Sequence, residues 1–183
     1  MKLDNNFGLK SMNNRKLTDN IRNRARRIKL LLMDCDGVLT DGRLYFTEKG
    51  EEMKVFNVRD GQGIVSWHNA GFQSGIISGR GAKGILEARA TELGMHYIKT
   101  CSLDKAKDFF DVLQAAEVTS DEVAYIGDDI GDICLMEKVG LPIAVADASS
   151  EVMPYAVYKT EAKGGFGAVR EATDLLLRAK EFS

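Results

Sequence analysis

Short apolar runs that stop abruptly at polar or acidic residues, with longer stretches of helical periodicity between them, constrain this chain more than any other feature. Leu30-Leu31-Leu32-Met33 stops at Asp34, Phe72 to Ile77 stops at Ser78, and Val123 to Ile126 stops at Gly127-Asp128-Asp129. Met95 to Ile98, Ile143-Ala144-Val145 and Tyr155 to Lys159 complete the set. Runs this short and this apolar read as strands buried on both faces. Helical patterns cover Asp60 to Asn69, Ala82 to Leu93 (stopped by Gly94), Asp104 to Ala116, Ile133 to Val139 and Arg170 to Lys180. In the third of these, Ala106, Phe109, Phe110 and Leu113 are expected on the buried face. Arg43 to Phe56 reads as a hairpin, with arms Leu44-Tyr45-Phe46 and Met53-Lys54-Val55-Phe56 around the turn Glu48-Lys49-Gly50. Strands alternating with helices imply an α/β fold, a mostly parallel sheet with helices on both faces. Ligands of such sheets bind beyond the carboxyl ends of the strands.

Those ends carry a coherent chemistry. Asp34 and Asp36 lie one residue apart after the first strand, and Asp128 and Asp129, with Asp132 beyond, follow another. Carboxylates brought together repel and raise one another's pKa values, and a cation relieves the conflict. An all-oxygen ligand set suits Mg²⁺. Ser78-Gly79-Arg80 closes the second strand, and Lys105 opens the helix after the third. A carboxylate can attack phosphorus, while a cation, a lysine and a hydroxyl neutralise and orient the phosphoryl oxygens. The set therefore suits phosphoryl transfer.

Composition excludes other classes. His68 and His96 are the only histidines, and Cys35, Cys101 and Cys134 form no CxxC pair, so neither a zinc site nor a disulfide framework is expected. A net charge of -2 offers no global attraction for nucleic acid. No apolar run is long enough for a membrane span and no signal-peptide pattern opens the chain, so a cytoplasmic protein is expected. Residues 1–29 stand apart as a basic extension. They hold nine Lys/Arg against Asp4 and Asp19, a net +7, which leaves -9 for residues 30–183. A helix from Leu17 to Arg27 behind a frayed tail competes there with an anion-attracting or targeting arm.

The segment Asp34-Cys35-Asp36-Gly37-Val38-Leu39-Thr40, then Ser78, Lys105 and Gly127-Asp128-Asp129, resembles the four motifs of the haloacid dehalogenase-like (HAD) phosphatase superfamily, in their usual order. The resemblance implies a Rossmann-like sheet. It makes Asp34 the nucleophile and Asp36 the general acid/base. Mg²⁺ is then held by Asp34, the Asp36 main-chain carbonyl and Asp128, and phosphate is bound by Ser78 and Lys105. Asp129 and Asp132 either hold the metal's waters or position Lys105, or cap the helix at Ile133. Only the hairpin separates Asp36 from the helix at Asp60, which leaves no room for a cap domain. A two-stranded hairpin alone is marginally stable, so a homo-oligomer in which a neighbour covers the site is expected.

Over about Ile28 to Leu177 the chain is similar to 3-deoxy-D-manno-octulosonate 8-phosphate (KDO 8-phosphate) phosphatases. Besides the motifs above, the stretches that carry this are Phe56 to Gly61, Val123 to Asp129, Val139 to Leu141, Ala144 to Ala148 and Gly164 to Glu171. The resemblance implies a tetramer built through hairpins and hydrolysis of a lipopolysaccharide-precursor sugar-acid phosphate. It names Asn57, Arg59, Asp60, Gly61, Arg80 and Arg89 as substrate-binding residues. Arginine suits bidentate capture of the sugar-acid carboxylate. The chain departs from the family pattern at Phe166, where GGRGAVRE has arginine, at Val65, often basic, and by one extra residue across 80–94. These departures bear on which sugar acid is taken. Related phosphatases take nine-carbon sugar-acid 9-phosphates, and related appended domains serve as non-catalytic oligomerisation modules. Such modules would have lost the catalytic carboxylates that stand here. Transfer of the phosphoryl group to an alcohol remains chemically open. Trp67, His68 and Cys35 are expected to be packing residues, and Tyr45 and Phe46 oligomer contacts.

Overall fold

The computed structural model describes residues 18–81 and 84–181, and among these the alternation is realised as a six-stranded parallel sheet. The strands are β1 (Leu30–Met33), β4 (Gln73–Ile77), β5 (Tyr97–Lys99), β6 (Val123–Gly127), β7 (Leu141–Ala144) and β8 (Tyr158–Lys159), in the order β5-β4-β1-β6-β7-β8. β2 (Tyr45–Thr47) and β3 (Gly50–Met53) form a separate antiparallel hairpin. The helices are α1 (Asp19–Arg27), α2 (Val58–Asn69), α3 (Ile85–Glu92), α4 (Lys105–Ala116), α5 (Ile133–Met136) and α6 (Ala168–Glu181).

β1 is central because both of its faces are apolar. Leu31 and Met33 enter one core with Ile64, Trp67 and the α6 residues Val169, Ala172 and Leu176. Leu30 and Leu32 enter the opposite core with Phe109, Val112, Tyr125 and Leu135. Leu30 pairs with Gln73 on one side and Val123 on the other. The carboxyl ends of β4, β1 and β6 therefore emerge together, and the Asp34 N–H still donates to the Ile126 carbonyl at 3.1 Å. Trp67 and Cys35 are buried packing residues, as expected.

Several elements differ from the sequence reading. The hairpin turns at Glu48-Lys49, and Gly50, with φ +103°, opens β3 instead of closing the turn. The return arm therefore ends at Met53, and Lys54 to Phe56 run back into the body of the protein. On α4 it is Phe109 and Val112 that are buried, while Phe110 is 58% exposed. β7 starts two residues early, at Leu141, because the chain tolerates Pro142 where the Pro142 carbonyl still accepts from Val157. α5 is one turn long, since the chain must reverse at Gly140 to enter β7. The first residues of the helix expected from Ala82, and residues 1–17 with the proposed basic arm, lie outside the described residues.

Thr18 caps α1 through its side chain, and α1 docks on the sheet's α6 side: Arg26 donates to the Ala179 carbonyl at 3.1 Å and Lys180 to the Ile28 carbonyl at 2.7 Å. Asp60 ties α2 to α6. Its buried carboxylate accepts from the Gly167 N–H at 3.2 Å and the Arg170 N–H at 2.8 Å, at the amino end of α6. Removing it leaves helix N–H groups unsatisfied. Asp60→Ala is expected to cost about 1–3 kcal/mol in urea denaturation.

Candidate active site

The site is built where β1, β4 and β6 end. Asp34 follows β1, and one of its oxygens accepts from the Cys35 N–H at 2.7 Å. The other lies 3.2 Å from Lys105 Nζ, which the first turn of α4 brings in from across the sheet. Lys105 also donates to Asp132 Oδ1 at 2.7 Å. Burial pulls the lysine pKa down, but Asp132 and Asp34 outweigh it, and the ammonium is held above its ordinary value.

Asp132 is 1% exposed and fully used. Oδ1 also accepts from the Tyr125 hydroxyl at 2.7 Å, and Oδ2 accepts from the N–H groups of Asp128 at 2.9 Å and Asp129 at 3.3 Å. It therefore positions Lys105 and shapes the Gly127-Asp128-Asp129 turn. Gly127 is required there, since a Cβ would run into the Asp132 side chain. Asp129 is exposed and caps the following turn, accepting from the Ile130 N–H at 2.8 Å.

Asp128 completes a crowded group. Oxygens of Asp34, Asp128 and Asp132 lie within 4.8 Å of one another. Burial, reinforced by Asp132 and Asp34, pushes the Asp128 pKa up to about 8. Burial likewise raises Asp34 to about 6, although Lys105 opposes it. Asp128 Oδ1 is buried without a hydrogen-bond partner. Orphaned, repelling carboxylate oxygens are what a hard divalent cation resolves, so the residues fit one. Asp34 and Asp128 would hold it, because Asp132 has no oxygen to spare. Gly37, at φ +86°, lets the loop pass against Asp128, which a side chain would strike.

Asp36 stands between two cations. Lys54 Nζ hydrogen-bonds Oδ1, and Arg80 Nε lies 3.4 Å from Oδ2. Ser78 is buried at the end of β4, and its hydroxyl oxygen accepts from the Arg80 N–H at 3.4 Å. Arg59 and Arg80 are exposed. The remaining residues expected at the substrate are engaged within the chain. Asn57 caps α2 and donates to the Gly165 carbonyl at 3.1 Å; Asp60 holds α6. Gly61 makes room for the Arg89 guanidinium, which pairs with Glu92 at 2.8 Å and lies 5.7 Å from the Phe56 ring centroid.

Lys54 and Tyr125 escaped the sequence reading. Tyr125 left a trace as the one hydroxyl in an otherwise apolar strand. Lys54 left another: Met53 and Val55 on either side of it are 48% and 51% exposed, so the lysine faces in and the apolar residues face out.

With folded-state pKa values raised above 3.8 at Asp34 and Asp128, the metal-free protein binds protons more tightly folded than unfolded. Its stability is therefore expected to fall as pH rises from about 4 to about 8. In EDTA at pH 8, Asp128→Asn is expected to raise the melting temperature. Added Mg²⁺ is expected to raise that of the wild type and not that of the variant.

Comparison with known proteins agrees with this geometry. Residues 94–170 match the family model of haloacid dehalogenase-like hydrolases. The chain is 44% identical over 165 residues to the 3-deoxy-D-manno-octulosonate 8-phosphate phosphatase of Yersinia pestis, covering 90% of this chain and 88% of the relative. The crystal structure of a Y. pestis phosphatase of that name superposes with a TM-score of 0.86 at 45% identity, over 89% of this chain and 88% of that one. The Moraxella catarrhalis enzyme, solved with magnesium ion, phosphate ion and KDO, superposes with a TM-score of 0.86 at 34% identity, over 90% of this chain and 94% of that one. Motifs, sheet and relatives agree, and the chain belongs to the 3-deoxy-D-manno-octulosonate 8-phosphate phosphatase family of haloacid dehalogenase-like phosphoric monoester hydrolases.

Proposed function

We propose that this chain is a Mg²⁺-dependent phosphatase that hydrolyses KDO 8-phosphate to KDO and phosphate through an aspartyl phosphate at Asp34. The observation that carries the reading is Asp34 itself. One of its oxygens is fixed by the Cys35 N–H, its other oxygen lies beside Lys105, and Asp128 stands across the crevice between β1 and β6. Asp34, Asp128 and the Asp36 carbonyl would hold Mg²⁺, which would supply positive charge to the phosphoryl oxygens and relieve their repulsion of the nucleophile. Lys105 and Ser78 orient the phosphoryl group. The Asp34 carboxylate attacks phosphorus and the bond from phosphorus to the sugar oxygen breaks. Asp36 gives its proton to the departing alkoxide. Asp36 then takes a proton from water as that water attacks phosphorus, which releases phosphate and restores Asp34. Unaided, phosphate monoesters are among the slowest substrates to hydrolyse, with accelerations of up to about 10²¹-fold on record, and a covalent route suits that barrier.

Arg80, which lies 3.4 Å from Asp36, and the exposed Arg59 are the cations we assign to the sugar-acid carboxylate. Phe166 borders a cleft of about 390 Å³ with Asp41, Arg43, Asp147 and Lys163. Gly164 and Gly165 press this segment onto the Gly37–Asp41 loop, so the cleft lies beside the loop that follows the nucleophile. An apolar ring in place of a guanidinium there favours testing a nine-carbon sugar-acid 9-phosphate as a second substrate. The exposed Leu44, Phe46, Met53 and Val55 of the hairpin segment support a tetramer assembled through hairpins. Three cysteines outside any disulfide suit the cytoplasm, and no described helix is long and apolar enough to cross a membrane.

Phosphate release from KDO 8-phosphate in Mg²⁺ is expected to exceed release from the nine-carbon analogue. EDTA is expected to abolish it, and Asp34→Asn to lower it by at least about 10³-fold. Light scattering on the same sample is expected to give four chains. Turnover of the nine-carbon ester alone would transfer the assignment to that substrate.

A further inference from the structure

Lys54 has no part in the reaction as derived so far, yet it is placed where the proton moves. Its side chain is 1% exposed, and its ammonium hydrogen-bonds Asp36 Oδ1. Taking an ammonium out of water is costly unless a close partner compensates. A methionine or leucine would fill the same space without that cost. The hairpin makes the choice more pointed, because Met53 and Val55 face solvent while the charged residue between them faces in.

The two oxygens of Asp36 are treated differently. Oδ1 is held by Lys54. Oδ2 is buried and has no hydrogen-bond partner, and Arg80 Nε stands 3.4 Å from it as an ion pair outside hydrogen-bond geometry. A carboxyl group anchored through one oxygen and open at the other is arranged to carry a proton on the open one. The Arg80 side chain is half exposed and faces the same oxygen, whereas the lysine is enclosed.

We propose that Lys54 is a positioning residue for the phosphatase reaction: it anchors Asp36 through Oδ1 so that Oδ2 delivers the proton to the leaving alkoxide and takes it back from the attacking water. This rests on the phosphatase reading above. Lys54 follows β3 directly, so the anchor also fastens the hairpin to the acid/base.

The test separates steps that need the proton from one that does not. p-Nitrophenolate leaves without protonation, so formation of the aspartyl phosphate from p-nitrophenyl phosphate is independent of Asp36. An alkyl ester such as KDO 8-phosphate needs the proton to leave, and hydrolysis of the aspartyl phosphate needs Asp36 with either substrate. In rapid-mixing experiments on the intact Mg²⁺-loaded protein, Lys54→Met is expected to keep the rate of the p-nitrophenolate burst within about twofold. Its steady-state turnover, and the single-turnover cleavage of the sugar-acid ester, are expected to fall by about 10- to 100-fold. With p-nitrophenyl phosphate, KM is expected to fall together with kcat so that kcat/KM is kept, and the Mg²⁺-induced shift in melting temperature is expected to persist. Lys54→Gln, which keeps a donor, is expected to lose less than Lys54→Met, and it carries the same comparison if the methionine variant does not fold. Equal losses in burst and turnover, or no loss in either, would overturn the inference while leaving the phosphatase reading intact. Absence of any release by the wild type would overturn both.

Discussion

Four carboxylates crowded at the end of two adjacent strands are the constraint on which the structure turns. Asp34, Asp36, Asp128 and Asp132 would repel one another in any arrangement, and burial removes the water that would screen them. Each is answered separately. Asp132 is neutralised by Lys105 and saturated by the Tyr125 hydroxyl and two turn N–H groups. Asp36 has Lys54 and Arg80. Asp34 shares Lys105 and receives one N–H. Asp128 keeps a buried oxygen without a hydrogen-bond partner, and burial beside Asp132 and Asp34 raises its pKa, so this is where a cation fits.

The rest of the fold supplies rigidity to that arrangement. β1 is held on both sides by parallel partners and buried on both faces, so the Asp34 backbone cannot retreat from the crowding. Glycines do what side chains could not. Gly37 lets the nucleophile loop pass Asp128, and Gly127 lets Asp132 fold back beneath its own turn. The loop 163–167 is pinned against residues 37–40, with the Gly165 N–H donating to the Val38 carbonyl at 2.9 Å, and Asn57 secures it from α2. Stability and chemistry therefore share residues. Asp60 serves α6 in the same stretch whose neighbour Arg59 faces solvent.

Much of this was legible in the sequence because parallel sheets place function at strand ends, and strand ends can be read from short apolar runs. Asp34, Ser78, Lys105 and Asp128 follow such runs closely, and the structure gathers Asp34, Lys105 and Asp128. What escaped depends on tertiary placement. Lys54 looks like an ordinary hairpin lysine until the early turn at Glu48-Lys49 carries it inward. Asp60 near the start of a helix reads alike whether it meets a ligand or another helix's N–H groups. The face of α4 was misjudged at Phe110 because aromatic character outweighed the three-residue spacing from Phe109 to Val112. Asp129 and Asp132 share a turn and are chemically identical, and only burial separates the cap from the lysine's anchor.

The central claim is that Asp34, and no other carboxylate of the four, becomes covalently phosphorylated. Rapid quenching during turnover of the sugar-acid ester, followed by borohydride reduction and peptide mass spectrometry, reads that directly, since an acyl phosphate is reduced to an alcohol. The account expects homoserine at position 34, and at none of 36, 128 or 132, with the label absent when substrate is omitted. Homoserine at any of those other positions, or none anywhere while phosphate is being released, would contradict it.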